Sequence, residues 1–302
     1  MKKLFTLLAL TISFSMNAQV STNSTSPTGT YASAMGNGTT ASGNESTAMG
    51  YDTTASAEAS TAMGYSTTAS AESSTAMGRG TTASGAQSTA MGQGTTAIGI
   101  LSTAMGGFTS ASGYNSTAMG YSTSASGSYS TAMGAATTAS DYASTVIGQY
   151  NSSGSSATSA YSFSTSAPAF VIGNGANSSN KSDAFKVMFN GDTTVSNDLT
   201  VSGDVVISSD ARLKSNIVSL GSTLPKLLQI DGKSYEMKGK QKIGVLAQEI
   251  QEVFPELVTE DSNEMLAVNY QGLVPVLINA LKEQDEKINR LEKLVEKLVA
   301  NQ

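Results

Sequence analysis

The chain has 302 residues with no Cys, no His and no Trp, and only 13% of it is charged, against about 25% in an average globular domain. Those absences exclude His-based triads, imidazole proton shuttles, thiol nucleophiles, disulfides and His- or Cys-ligated metal sites, so any chemistry rests on carboxylates, hydroxyls, Lys and Arg, and no metal or cofactor is expected. A formal charge of −6 with an isoelectric point near 4.8, and no Lys/Arg cluster interleaved with aromatics, argues against a nucleic-acid partner.

The low charge is regional. Between Phe5 and Asn180 the only basic residue is Arg79 and the only acids are Glu45, Asp52, Glu58, Glu72 and Asp141. Apart from Lys2, Lys3 and Arg79, every Lys and Arg lies from Lys181 onward. Two different materials share one chain. At the N-terminus, Lys2 and Lys3 precede an apolar run from Leu4 to Met16, and Ala18 offers a small residue for cleavage. Residues 1–18 therefore read as a secretory signal peptide, too short for a membrane anchor. No later apolar run approaches the roughly 20 residues of a membrane span. The protein is expected to be secreted or displayed at a cell surface without a transmembrane anchor. Residues 19–31 read as a linker.

From residue 32 to 150 a repeat dominates. Met35, Met49, Met63, Met77, Met91, Met105, Met119 and Met133 recur at one unbroken interval, and Ile147 takes the ninth position. Each copy is nearly double: Thr75-Ala76-Met77-Gly78 is echoed by Thr82-Ala83-Ser84-Gly85, so a period consists of two short strands and two turns. The interval equals two heptads, but Gly in every copy and runs of Ser and Thr oppose a coiled coil. A strict period opposes disorder, and Gly is absent from every third position, which excludes collagen. A parallel β-roll remains, a rod of about 40 Å for nine rungs at about 4.8 Å each. Alternation puts Thr and Met of each Thr-Ala-Met on one face and Ala on the other. One Met per turn encloses little core, so sideways association through the Met or the Ala face is expected. A Thr-rich face also raises an ice-binding reading, but the threonines are adjacent, as at Thr67-Thr68, rather than alternating.

The copies from Ser46-Thr47-Ala48-Met49-Gly50 to Ser144-Thr145-Val146-Ile147-Gly148 resemble the head repeats of YadA-like trimeric autotransporter adhesins, with Met in place of the usual Ile. That resemblance implies a left-handed parallel β-roll in a threefold trimer, whose head would meet a glycan or another host or cell-surface ligand.

Residues 151–207 read as a β-rich neck. Phe170-Val171-Ile172-Gly173-Asn174-Gly175 closes the repeat region, Ala184 to Phe189 reads as a strand, Asn190-Gly191-Asp192 as a turn, and Val195 and Leu199-Thr200-Val201 as further strands. This stretch is similar to the stalk strands of phage tail fibres.

Residues 208–302 have ordinary globular composition. The segments Ser209-Asp210-Ala211-Arg212-Leu213-Lys214, Ile243-Gly244-Val245-Leu246-Ala247-Gln248-Glu249 and Val268-Asn269-Tyr270-Gln271-Gly272 occur in an order that closely resembles the self-cleaving intramolecular chaperone of endosialidase-type tail spikes. The resemblance implies a Ser209/Lys214 dyad, cleavage between Ser208 and Ser209, and a nearby motif of Gly244, Gln248 and Glu249. A lysine of lowered pKa can deprotonate a hydroxyl, a chemistry open to a chain without His. The separation of Ser209 from Lys214 suits neither one strand face nor one helix stripe, so the dyad is expected to need tertiary or trimer contacts. From about 274 to 300, Val274, Leu277, Leu281, Gln284, Ile288, Leu291, Val295 and Leu298 form an a/d seam. Its β-branched a and Leu d residues favour a dimer by themselves, the chaperone resemblance implies three strands, and Gln284 sets register.

The whole reads as a mainly β fibrous homotrimer: a β-roll head, a β-rich neck, and an α+β chaperone ending in a coiled coil that trimerises the chain and then releases itself. The alternative is an uncleaved adhesive fibre in which residues 208–302 only trimerise. A glycan-degrading head would need a carboxylate pair, and a barrel anchor would need amphipathic strands at the C-terminus. Neither pattern is in the sequence.

Overall fold

A computed structural model describes residues 24–261 and 264–301. The signal-peptide reading of 1–18 falls outside the described residues. The chain divides between Gly203 and Asp204 into two compact units.

The first unit is a β-solenoid in which one sequence period, such as the step from Met77 to Met91, makes one turn. One turn supplies a five-residue strand, Thr75–Arg79, and a two-residue strand, Thr82–Ala83. The long strands stack parallel and in register, with Met91 between Met77 and Met105. The short strands form a second parallel sheet of nine that begins at Ser26–Pro27, inside the segment read as a linker. Because the period equals the turn, the repeated residues stack on their own kind, as Thr89, Ala90, Met91 and Gly92 do on Thr75, Ala76, Met77 and Gly78.

Alanine fills the space between the sheets. Ala41 to Ala139 are fully buried at regular intervals, one from each strand, and Val146 and Val171 complete the column. Methyl groups are small enough to let the two sheets close on each other within one chain. Met, on the opposite side of the long strand, stays only half-buried. Of the two faces left open for association, Ala closes internally and the Thr/Met face remains outside.

The corners show why the repeat needs Ser, Thr and Gly. Ser74 is buried and its hydroxyl donates to the Ala71 carbonyl at 2.6 Å; Ser116 does the same to Gly113 at 2.8 Å. In each Thr-Thr pair the first residue points inward: Thr67 is buried with its hydroxyl unpaired, and this recurs from Thr39 to Thr137. Gly78 sits at φ 120°, and a Cβ there would stand 2.0 Å from the Gly92 carbonyl oxygen one turn on.

The sequence period stops after Gln149, but the long ladder does not. Pro168–Asn174 adds a further parallel rung with Ile172 beside Ile147. The intervening loop takes over the short sheet: the Asn151 amide accepts from Thr138 N and donates to Thr138 O, both at 2.8 Å, as a neighbouring strand would. Asp141 accepts from Thr158 N and Ser159 N, and Asp183 from Ser152 N and Ser153 N, which pins the loop down. Antiparallel strands Asp183–Met188 and Thr193–Val195 then end the ladder. Leu199–Val201 forms no strand, a correction to the sequence reading. Its apolar side chains are exposed with no sheet face to cover them.

The second unit contains helix α1 (Leu224–Leu227), a hairpin of Lys233–Met237 and Lys240–Gly244, helix α2 (Ala247–Val253), a second hairpin of Val258–Glu260 and Leu266–Val268, and helix α3 (Leu273–Ala300). Ile250, Phe254, Leu257 and Val276 form its core. Pro275 is tolerated because it lies in the first turn of α3, where backbone N–H groups have no intrahelical acceptor. Glu283 fastens α3 to α1: its carboxylate accepts from Ser222 Oγ at 2.7 Å, Thr223 N and Leu224 N at 3.1 Å. These bonds, led by the Ser222 hydroxyl, hold the Glu283 pKa below its ordinary value. Beyond Glu283 every described residue of α3 is exposed. The seam Val274, Leu277, Leu281, Gln284, Ile288, Leu291, Val295 and Leu298 is thus uncovered in one chain.

Two outcomes are expected. Thr67→Val, which removes a buried hydroxyl without a partner at nearly constant volume, stabilises the roll by about 1 kcal/mol, whereas Gly78→Ala destabilises it by about 2–4 kcal/mol; thermal melts of the full chain check both. Glu283 carries a lowered folded-state pKa, so its contribution is complete above the unfolded-state value and fades as pH falls through the lower folded value. An acid titration followed by hydrogen exchange at Thr223 and Leu224 should show early opening of α1 that Glu283→Gln displays already at neutral pH.

Candidate functional site

Ser208 to Lys214 forms an exposed turn at the start of the second unit. Asp210 caps a single 3-10 turn, Ala211–Leu213, by accepting from Arg212 N at 2.8 Å, and Lys214 N closes it on the Ala211 carbonyl at 3.1 Å. An Asp immediately before a short helical turn suits this cap because its oxygen reaches the free N–H two residues on. The turn brings its flanks together: Lys214 Nζ donates to Ser209 Oγ at 2.7 Å. The expectation that tertiary or trimer contacts must join these two residues is corrected. A 3-10 turn has a repeat that neither an ideal strand nor an α-helix shares, and it closes the gap between them locally.

Electrostatics on the turn are organised by Asp210 and Arg212. Arg212 Nε and Nη2 donate to the Asp210 carboxylate at 3.0 and 2.6 Å, a forked pair. The Arg212 guanidinium holds the Asp210 carboxyl below its usual range, and Asp210 in turn raises Arg212. Both Ser209 and Lys214 are exposed in the single chain. In this arrangement the Lys214 amine is the donor and the Ser209 hydroxyl oxygen the acceptor.

The other motif residues lie on the hairpin and α2. A Cβ on Gly244 would meet Tyr270 Oη at 2.7 Å and Tyr235 Oη at 3.1 Å, while Tyr270 Oη accepts from Val245 N at 3.2 Å. Glycine is therefore required by a tyrosine pair. Gln248 lines a shallow cavity of about 350 Å³ with Tyr235, Val245, Met265 and Tyr270. Glu249 accepts from Asp231 N at 3.2 Å and pairs with Lys233 at 3.3 Å. Among the described residues no hydrogen bond or ion pair links Gly244, Gln248 or Glu249 to Ser209 or Lys214.

Sequence reasoning missed the Asp210–Arg212 fork and the Glu283 bracket. The first had a signal, an Asp in capping position directly after Ser209. The second had none, since Glu283 lies 60 residues from Thr223 and reads as an ordinary heptad flank. Among the described residues no cluster of three or more acidic side chains is placed to hold a metal ion, and no helix is long and apolar enough to cross a membrane.

Comparison with known proteins locates both units. Residues 28–95, 97–123 and 125–151 match the YadA head domain repeat, and residues 209–259 match the chaperone of endosialidase, the Peptidase_S74 family, in a match that begins at Ser209. The chain thus joins YadA head repeats to an endosialidase-type chaperone domain. Part of it is 36% identical over 92 residues to the long tail fiber protein Gp37 of Enterobacteria phage K3, and to that of phage T2 to the same degree. The similarity covers 27% of this chain and spans only 7% of the length of those relatives.

Gly244→Ala should push Tyr270 away and break its bond from Val245 N. The expected readout is a lower melting temperature of the second unit, partly restored by Tyr270→Phe, which removes the hydroxyl nearest the added methyl.

Proposed function

We propose that this protein is a secreted homotrimeric fibre whose C-terminal unit aligns three chains and then cuts itself off between Ser208 and Ser209. The observation that carries the reading is the 2.7 Å contact from Lys214 Nζ to Ser209 Oγ, directly after the candidate scissile bond and at the first residue of the chaperone match. Assembly supplies the missing burial. The uncovered α3 seam brings three chains together at one end, and the Thr/Met faces of the rolls then pack on one another.

The need for such a module follows from the repeat. Near-identical rungs pair in many slipped registers at similar energy, so the roll cannot choose its own alignment. A coil at one end defines it. Once the fibre has formed, loss of the coil makes reversal slow.

In the chemical step, Lys214 as the general base takes the Ser209 hydroxyl proton as Oγ attacks the Ser208 carbonyl carbon. The Ser208–Ser209 amide bond breaks, its nitrogen receives that proton, and an ester joins Ser208 to Ser209 Oγ. Water then hydrolyses the ester, with Lys214 again as base, leaving a Ser208 carboxylate and a free Ser209 amine and hydroxyl. The reaction is a single turnover on the chain itself. The remaining head and neck form an adhesive fibre that meets a glycan or another surface ligand. The exposure of Ser209 and Lys214 in one chain favours a second reading, an uncleaved fibre whose C-terminal unit only trimerises.

Expressing the chain without residues 1–18 and weighing the products separates the two. Self-cleavage yields a fragment beginning at Ser209 that disappears in Ser209→Ala and in Lys214→Ala. Intact wild-type chains in a folded trimer would overturn cleavage and leave the second reading. Light scattering that gives a dimer would overturn the threefold assembly.

A further inference from the structure

We propose that Arg212 is a positioning residue for the self-cleavage described above, on which this inference rests: it occupies the Asp210 carboxylate and so leaves Lys214 to Ser209. Asp210 lies four residues before Lys214, at the opposite end of a turn whose ends meet. Its carboxylate is the acidic group nearest that lysine in the sequence. Residue 212 takes it instead: Oδ1 accepts from Arg212 N at 2.8 Å and Nε at 3.0 Å, and Oδ2 accepts from Nε at 3.1 Å and Nη2 at 2.6 Å.

The same unit contains the opposite case. Asp231 and Lys233 have the spacing of Asp210 and Arg212, but there the cation is a lysine, paired at 2.7 Å with Asp231 and at 3.3 Å with Glu249. That lysine's pKa is raised, first by Asp231, then by Glu249, so its ammonium form is favoured. Arginine at 212 prevents this at the turn. Its planar fork fills both carboxylate oxygens, it does not lose its proton, and its charge disfavours a second cation beside it. Asp210 and Arg212 are the charged groups that share the turn with Lys214; among the described residues its ammonium makes no ion pair and donates to Ser209 Oγ. The division of labour is three-part: Asp210 shapes the turn, Arg212 holds Asp210, and Lys214 faces the hydroxyl.

The experiment follows the rate at which the Ser209 fragment appears in the full chain after dilution from denaturant, across a pH series, with trimer mass checked for each variant. Arg212→Ala releases Asp210 to pair with Lys214; the midpoint of the pH profile should rise by about one unit, and cleavage below it should slow about tenfold. Adding Asp210→Asn, which keeps a capping oxygen but removes the charge, should restore the wild-type midpoint. Where Arg212→Ala does not assemble, Arg212→Gln is read in the same way. An unchanged midpoint, or slowing equal at every pH and not recovered by Asp210→Asn, would overturn the role of Arg212 while wild-type cleavage still stands. A wild-type chain that yields no fragment removes the self-cleavage reading, and this inference falls with it.

Discussion

The solenoid of the first unit depends on one match of lengths: one period of sequence makes one turn of backbone, and each turn bonds to the next, as Thr75 N does to Ser88 O at 2.9 Å. Identity of stacked residues follows from that match. Gly over Gly lets the backbones approach where a Cβ would collide, and Ala over Ala from Ala41 to Ala139 closes the two sheets on methyl groups. The corners are demanding. Residues such as Leu101 and Tyr129 are held at φ 60° and 61°, a left-handed conformation that disfavours L side chains by about 1–2 kcal/mol each. Only a long ladder of regular hydrogen bonds holds so many of them.

The same economy limits what one chain achieves. An Ala column between sheets buries little apolar area per turn, and unpaired hydroxyls from Thr39 to Thr137 subtract from it. The larger side chains face outward, Met along the long sheet and tyrosines at the corners, where Tyr51 and Tyr65 stack at 5.1 Å and Arg79 lies over Tyr65. The second unit has the complementary arrangement. Its small core of Ile250, Phe254, Leu257 and Val276 anchors the base of α3, and Glu283 locks that base to α1. The remainder of α3 is left as an uncovered seam. A roll poor in self-contained burial and a helix with an unburied seam point to the same remedy, association of several chains.

Much of this was legible because repetition amplifies weak signals. A single Thr-Ala-Met-Gly says little, whereas many copies at one spacing define turn length, sheet pairing and the role of Gly. Heptads did the same for α3. Legibility failed where structure is not repeated. The rung at Pro168–Asn174 is separated from Thr145–Gln149 by a loop that breaks the period, and Leu199–Val201 looks like a strand in composition but has no face to cover. The turn from Ser209 to Lys214 was read from resemblance, but its geometry, a 3-10 turn stapled by Asp210 and Arg212, lies between the two periodicities that sequence patterns detect.

By itself the sequence determined the local and periodic facts: two materials in one chain, a two-strand turn in every repeat, a heptad helix, and a reactive inventory reduced to hydroxyls, carboxylates, Lys and Arg. The tertiary structure decided which side of each strand is inside. Alternation separates Ala from Met, but only the close approach of the two sheets, filled by Ala and near its end by Val146 and Val171, assigns Ala to the interior and leaves Met half-buried outside. It also decided the partners of single charges. Asp210 goes to Arg212 rather than Lys214, and Glu283 to the start of a helix 60 residues away; the second partner is chosen by three-dimensional reach, which no spacing along the chain encodes.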